Sequence, residues 1–137
     1  MSTKTVDAGT AHYVLMEGKE RIGPKLLPLD HDVECLVIYG FSDKKPYETF
    51  CKNSERALTP YPLVRFYLQS QVDEKDARLK LVVLDAVEPR APILNAATMQ
   101  ELLTAHISGS KTLVASHQLV FDDNSSAYKA SELRVEK

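Results

Sequence analysis

A continuous apolar run near the middle of the chain, RLKLVVLDAV (78–87), constrains the fold more than any other stretch. It is followed by EPRAP, whose two prolines interrupt regular structure. A run of this kind is typical of a strand buried on both faces, as in a parallel sheet. A second run, VECLVIYGF (33–41), is also β-branched and ends at Gly40. The two runs together predict a buried central sheet.

Capping residues and apolar spacing predict helices between and after these strands. Ser42 or Asp43 is a suitable N-cap for the first helix, and Asn95 for the third. Gly109 is expected to end the third helix in a left-handed conformation. The predicted strands cover residues 11–16, 33–41, 78–87 and 111–121. The predicted helices cover residues 46–58, 59–71, 96–106 and 127–135.

The alternation of these elements predicts an α/β fold. We expect a single layered domain, with a mainly parallel or mixed sheet of about four strands flanked by helices. The alternative is an α+β fold in which the N-terminal strands run antiparallel to the rest. Residues 1–10 are small and polar and predict a flexible N-terminus, while 11–137 form the domain. A chain of 137 residues can bury a sizeable core without a disulfide or a metal.

Composition argues against several classes of function. The net charge is −2 and the two signs are mixed along the chain, so nucleic-acid binding is not expected. The two cysteines are not in a CxxC pair, and the four histidines form no metal-binding motif. The N-terminus has no apolar signal region, and the longest apolar run is too short to cross a bilayer. These features predict a soluble cytoplasmic protein that does not contact membranes.

Polar residues collect where the predicted strands end. If the sheet is parallel, ligands bind at the carboxyl ends of its strands. Carboxylates there would suit Mg²⁺, which takes oxygen ligands and often accompanies a phosphate. Helix capping and loop hydrogen bonds explain the same residues without a ligand. The candidate ligand-binding residues are Ser42, Asp43, Asp85, Glu88, Asp122 and Asp123.

Two segments contain residues typical of a phosphate-binding loop or of a catalytic pair, but we interpret both as structural. SGSKT (108–112) lacks the Gly-Lys pair of a phosphate-binding loop and follows a helix, so it is interpreted as a helix end. Ser116 precedes His117 directly, and neighbours on a strand point to opposite faces. Local geometry therefore does not predict a nucleophile and base pair.

The stretch TPYPLVRFYL (59–68) is the most distinctive in the chain. On a helix, Tyr61, Arg65 and Leu68 would share one face, and aromatic and arginine side chains are favoured at interfaces. The other interpretation places the apolar residues in the core and lets Tyr61 and Arg65 extend outward.

No catalytic motif stands out, so the sequence favours a small non-catalytic domain that binds a ligand or a protein, without a cofactor. The expected partner is another protein or a second copy of the chain, which would make the protein self-associating. The alternative is an Mg²⁺-dependent enzyme or binding protein that recognises a phosphorylated small molecule through the carboxylates at the strand ends.

Overall fold

The computed structural model describes residues 7–27, 35–54, 59–74, 79–89 and 91–132. Within these ranges the chain forms strands and three helices. The helices are α1 (Lys44–Lys52), α2 (Arg65–Asp73) and α3 (Met99–Ser108). The strands are β1 (Asp7–Gly9), β2 (Tyr13–Glu17), β3 (Glu20–Arg21), β4 (Cys35–Phe41), β5 (Thr59–Pro62), β6 (Leu79–Leu84), β7 (Ile93–Thr98), β8 (Thr112–Val114), β9 (His117–Asp122) and β10 (Ala127–Glu132).

Eight strands form one mixed sheet in the order β10-β9-β7-β6-β4-β2-β3, with β5 also paired to β2. Strands β4 and β6 run parallel, whereas β6–β7, β7–β9 and β9–β10 are antiparallel. The predicted α/β domain, with about four strands flanked by helices, is therefore wrong. Antiparallel pairing near the N-terminus is present, since β2 is antiparallel to β4. Strands β1 and β8 form a separate two-stranded sheet, so the chain is already paired from Asp7.

The two central strands are confirmed where the apolar runs predicted them. Strand β4 carries alternating residues to both faces, and four consecutive residues of β6, Leu81–Leu84, are buried. The Asp43 side chain caps α1 by accepting from the backbone N–H of Lys44 at 2.8 Å. Gly109 ends α3 with a φ of 72°, the predicted left-handed conformation. Apolar runs and capping residues in the local sequence were therefore sufficient to predict these two strands and these two helix ends.

The largest error concerns β7 and the start of α3. Residues 93–98 are a strand, and the cap of α3 is Thr98 instead of Asn95. Thr98 accepts from the backbone N–H of Glu101 at 3.1 Å, while the Glu101 carboxylate accepts from the Thr98 N–H at 3.0 Å. This reciprocal capping box needs the T-x-x-E spacing, which the sequence displays. The extra strand lies between β6 and β9, and it makes this part of the sheet antiparallel.

Two predicted helical segments are strands because sheet pairing outweighs local preference. Residues 127–132 pair with β9 along their whole length, although Ala, Lys and Glu favour helices. Residues 59–62 form β5, which pairs with β2, and α2 begins only at Arg65. Pro60 and Pro62 are tolerated because proline is accommodated on edge strands. The last part of the predicted final helix, residues 133–135, lies outside the described residues.

The sheet has a hydrophobic core on each face. Helices α2 and α3 cover one face, where their Leu68, Leu102 and Leu103 pack with Val82 of β6. The other core lies inside the curved sheet and is covered at one end by α1. Its fully or almost fully buried members include Leu15, Tyr39, Phe41, Phe50, Leu81, Val83, Leu94, Leu119 and Tyr128.

Residues 22–27, here called the strap, connect the middle of the sheet to its far edge. At one end the Tyr39 N–H of β4 donates to the Ile22 carbonyl at 2.9 Å. At the other end the Tyr128 N–H donates to the Lys25 carbonyl, and the Leu27 N–H donates to the Tyr128 carbonyl, both at 2.8 Å. The strap therefore closes β4, β6, β7, β9 and β10 into a ring of hydrogen-bonded segments.

The strap lies directly on the backbone of β4 at Gly23. A Cβ atom on Gly23 would approach the Val37 carbonyl oxygen to 2.0 Å and the Ile38 Cα to 2.9 Å. Real Cβ contacts with backbone are not this short, so a side chain would lift the strap away. Glycine is therefore required here by close approach, and closure of the ring depends on it.

We predict that Gly23→Ala destabilises the fold by about 3 kcal/mol or more, because a backbone clash cannot be relieved by side-chain rotation. The matched control is Gly18→Ala, where φ is 63° but no atom lies within 4 Å of the added Cβ. That variant should lose about 1 kcal/mol, the cost of a left-handed alanine. Urea unfolding of both variants measures the difference, and equal losses would show that the strap is not tightly packed.

Candidate functional site

The predicted polar residues at the ends of β4 and β6 are in direct contact. The Asp85 carboxylate accepts from the Ser42 backbone N–H and from the Ser42 hydroxyl, each at 2.7 Å. The Asp85 N–H in turn donates to the Gly40 carbonyl at 2.9 Å. The structure therefore brings Ser42 and Asp85 together, as expected for the ends of adjacent parallel strands.

The contact between Ser42 and Asp85 has the features of a structural link. Asp85 adopts a φ of 50°, a left-handed conformation that aspartate tolerates better than most residues. Gly9 packs against the contact, since a Cβ there would lie 2.6 Å from the Ser42 Cβ. Both carboxylate oxygens of Asp85 accept a hydrogen bond within the protein. The contact ties the chain after β1, β4 and β6 together at one end of the sheet.

The other acidic candidates near this end have separate roles. Asp43 caps α1, as described above. Glu88 is exposed in the loop after β6, and its negative charge acts on the Tyr128 hydroxyl. Asp85 is bonded to Ser42 and Asp43 to the N–H of Lys44, so the three acidic residues do not form one set of contacts.

Asp122 and Asp123 lie in the turn between β9 and β10. Asp122 accepts from the Ser125 hydroxyl at 2.6 Å, and Asp123 is exposed. Asp122 ends β9, which is separated from β6 by β7, so Asp122 and Asp85 do not follow adjacent strands. Among the described residues, no three His, Cys, Asp or Glu side chains are close enough to hold a metal ion.

The three residues predicted to share an interface do not share a face. Tyr61 lies on β5 and is 52% exposed, while Leu68 lies on α2 and is completely buried in the core. Arg65 is exposed at the start of α2, and its guanidinium donates to the His106 carbonyl at 2.9 Å. The prediction failed because the helix begins after Tyr61, which removes the assumed helical spacing.

An aromatic pocket opens at the end of the ring, next to the strap. Its volume is about 220 Å³. The walls come from four different elements, and residues 22–25 of the strap complete them. The aromatic side chains in the walls are Tyr39 of β4, Phe50 of α1, Phe121 of β9 and Tyr128 of β10. This combination of a concave shape and aromatic walls is typical of a small-molecule site.

The aromatic walls are organised as two ring pairs. The rings of Tyr39 and Phe50 have centroids 4.6 Å apart and are tilted by 51°. The rings of Phe121 and Tyr128 have centroids 5.2 Å apart in an edge-on arrangement. These separations and angles are favourable for aromatic contacts, so the pairs fix each other's orientation. The pocket is therefore preformed.

The hydroxyl of Tyr128 is engaged below the pocket surface. It donates to the Ala91 carbonyl at 2.5 Å, and the Pro89 carbonyl lies 3.4 Å away. Burial, followed by the negative charge of Glu88, raises the pKa of Tyr128 above its ordinary value. Tyr128 is therefore a neutral wall residue near pH 7, with its proton directed into the protein.

Polar residues surround the pocket opening. Ser54 follows α1, and Ser126 and Lys25 come from the β9–β10 turn and the strap. Ser126 has a φ of 55°, a conformation that costs a non-glycine residue about 1–2 kcal/mol. Backbone strain of this kind is concentrated at functional sites, although turns use it as well. A few polar groups around an apolar pocket are the usual means of orienting a ligand.

A second polar cluster lies at the opposite end of β9. The Ser116 hydroxyl is 2.8 Å from Nδ1 of His117, so the prediction that neighbouring side chains cannot meet is wrong. The reason is that Ser116 lies in the turn before β9, where side chains do not alternate between faces. Ser116 also lowers the pKa of Glu101 at the start of α3.

Thr98 and Ser116 determine the charge state of Glu101. Burial alone would raise the pKa of Glu101, but Ser116 and Thr98 lower it below the ordinary value. Thr98 donates to the Glu101 carboxylate from its N–H at 3.0 Å and from its hydroxyl at 2.9 Å. The Ser116 hydroxyl and Nδ1 of His117 form one hydrogen bond, and the tautomer of the imidazole decides which of the two is the donor.

The aromatic pocket has only indirect signals in the sequence. Its walls come from five separated segments, and each aromatic residue is part of an ordinary apolar pattern. The feature that could have suggested the closure is the IGPK segment (22–25), where a glycine and a proline follow β3. Its pairing with Tyr128 is a long-range contact that sequence spacing does not reveal.

Comparison of the chain with protein-family models, with curated proteins and with solved structures finds no match. Among the described residues, none of the helices is long and apolar enough to cross a membrane. The functional interpretation therefore rests on the geometry of the chain itself.

We predict that His117→Gln makes the free energy of unfolding less dependent on pH between about 7.5 and 5.5. Burial lowers the pKa of His117, and the charges of Glu132 and Glu101 only partly oppose the shift. The unfolded chain, with a histidine pKa near 6.5, therefore binds the proton more readily. The contribution to stability is present above this value and is lost as pH falls through the folded pKa.

Urea unfolding at several pH values measures this effect. At pH 8 the side chain at position 117 is neutral in both the native protein and His117→Gln. Any difference in their free energies of unfolding at this pH therefore reports packing alone. His12→Gln is a second variant that should change the pH dependence in the same direction, because burial and the charge of His106 lower the pKa of His12. An unaltered pH dependence of the unfolding free energy in His117→Gln would contradict a lowered pKa of His117 in the folded protein.

Proposed function

We propose that this protein is a non-catalytic domain that binds a small, mainly apolar molecule in the aromatic pocket. The observation that supports this most directly is the preformed opening of about 220 Å³ between two aromatic pairs at the end of the ring. An apolar cavity of roughly 150 Å³ accepts a benzene-sized molecule, so the pocket is large enough for a substituted ring. Burial of such a ring provides the hydrophobic part of the binding free energy.

The position of the pocket also supports a binding role. It lies where the strap, the α1 end and the β9–β10 turn meet, and a ligand there would contact all three. Such a ligand would bridge segments that are far apart in the chain. Binding should therefore stabilise the closed ring, and a ligand at 100 times its dissociation constant adds about 2.7 kcal/mol.

The Mg²⁺ alternative has less support from the geometry. Ser42 satisfies Asp85, Asp43 caps a helix, and Asp122 is bonded within its own turn. A cation would have to replace these hydrogen bonds before it could be bound. We therefore base the proposal on the aromatic pocket, without a metal or another cofactor.

We extend the proposal to a cytoplasmic location. Cys35 and Cys51 are both free thiols. Burial raises the pKa of Cys35 to about 11 and also raises the pKa of Cys51. Thiols of this kind are stable in a reducing compartment and have little thiolate character.

We predict that Ser54→Leu abolishes binding of small aromatic probes because the leucine side chain fills the pocket opening. Ser131→Leu is the matched control, since Ser131 is exposed on β10 and does not line the pocket. Ligand-observed NMR with a set of neutral and charged benzene derivatives measures binding. Changes in the chemical shifts of the protein identify the residues at which the probes bind. Equal binding by both variants would reject the pocket as the site.

A second candidate function is self-association through an exposed apolar surface. Phe66 on α2 is 82% exposed, which is unusual for a large aromatic side chain on a monomer. The bond from Arg65 to the His106 carbonyl holds this end of α2 beside the end of α3, where Ile107 is 59% exposed. Phe66 and Ile107 are the residues that a second copy of the chain would cover.

We predict that Phe66→Ser reduces self-association, because it removes most of the apolar area offered by this surface. Sedimentation equilibrium over a range of concentrations measures the effect. Ile93→Ser serves as the control, since Ile93 is 53% exposed on β7. A native protein that stays monomeric at high concentration would reject the self-association proposal.

A further inference from the structure

We infer that the aromatic pocket binds a small aromatic carboxylate, with the ring between the two aromatic pairs and the carboxylate beside Lys25. This inference rests on the proposed function, because it specifies the ligand of the same site. It follows from the distribution of charge and hydrogen-bond donors around the pocket.

Among the described residues that line the pocket, one carries a formal charge. Lys25 is the charged residue, and the others are apolar, aromatic or hydroxyl-bearing. An exposed ammonium group offers N–H donors to an anion without a large desolvation penalty. An apolar pocket with one cation at its opening therefore complements a ligand that is apolar at one end and anionic at the other.

The position of Lys25 is fixed by the closure of the ring. Its carbonyl accepts from the Tyr128 N–H at 2.8 Å, and Gly23 holds the preceding part of the strap against β4. The backbone of Lys25 is therefore as rigid as the sheet, while its side chain remains exposed at the opening. A fixed origin limits the positions that the ammonium group can reach, which favours one orientation of the ligand.

The deeper side of the pocket disfavours a negative charge. Glu88 acts on the Tyr128 hydroxyl through its own negative charge and raises the pKa of that hydroxyl. The hydroxyl donates its proton to the Ala91 carbonyl, so it has no proton left for a ligand. A carboxylate beside the Tyr128 hydroxyl would find no hydrogen-bond donor there. The ring must therefore point inward and the carboxylate outward.

The aromatic pairs favour a flat ring over a flexible aliphatic chain. Tyr39 with Phe50, and Phe121 with Tyr128, line the pocket, and Phe121 is the most accessible of the four rings because the other three are at most 5% exposed. An aromatic guest can make offset or edge-to-face contacts with each pair. It also loses little conformational entropy when it is held between them.

The test uses three probes of nearly the same shape: benzoate, benzamide and benzamidinium. Affinities are measured by NMR chemical-shift titration of the native protein. We expect benzoate to bind most tightly and benzamidinium least tightly. Lys25→Gln should weaken benzoate roughly three- to ten-fold, the range of a partly exposed ion pair, and leave benzamide unchanged. Lys25→Arg should keep the preference for benzoate.

The control is Lys129→Gln. Lys129 follows Tyr128 on β10, is exposed, and does not line the pocket, so its removal should not change the benzoate affinity. Equal affinities for all three probes, or a benzoate preference that survives in Lys25→Gln, would overturn the inference while the pocket remains a binding site. Binding of none of the probes at the pocket, at millimolar concentration, would overturn both this inference and the proposed function.

Discussion

The contact of Gly23 with the backbone of β4 is the constraint on which the rest of the structure depends. It allows the strap to cross the sheet at backbone distance, and the strap then reaches Tyr128 on the far edge. Without this crossing the edge of β10 would keep exposed backbone donors and acceptors, which is a liability for a sheet. Closure pairs the N–H and the carbonyl of Tyr128 on that edge. A single residue without a side chain therefore determines whether the sheet is open or closed.

The aromatic pocket is a consequence of the same closure. Leu81, Leu119 and other aliphatic side chains fill the interior of the ring, whereas aromatic side chains gather at the end beside the strap. Large rigid rings in fixed pairs leave a gap at this end that flexible side chains would fill. Since the strap supplies both the closure and Lys25, the one charged residue among the described residues that line the pocket, the fold and the proposed ligand recognition depend on the same six residues, 22–27.

About half of the secondary structure could be predicted from sequence, and the errors share one physical cause. The two central strands and the caps at Asp43 and Gly109 were identified, because burial and local hydrogen bonds act at short range. Strands β7 and β10 were missed, because their residues favour helices or loops until a partner strand binds them. The pairing of Ser42 with Asp85 followed from the parallel strands, but the pocket depends on contacts between segments about 100 residues apart.

The two polar clusters show how hydrogen bonds separate structural groups from groups available to a ligand. At Asp85 both carboxylate oxygens accept from Ser42, and the Ser116 hydroxyl forms a hydrogen bond of 2.8 Å with Nδ1 of His117. Each cluster contains the residue types of an active site, yet its donors and acceptors satisfy each other, so a substrate would have to break existing bonds. Lys25 differs because the strap fixes its backbone while its ammonium group faces solvent at the opening of an apolar pocket. That difference in hydrogen bonding, more than residue type, supports the proposal that a ligand binds beside the strap.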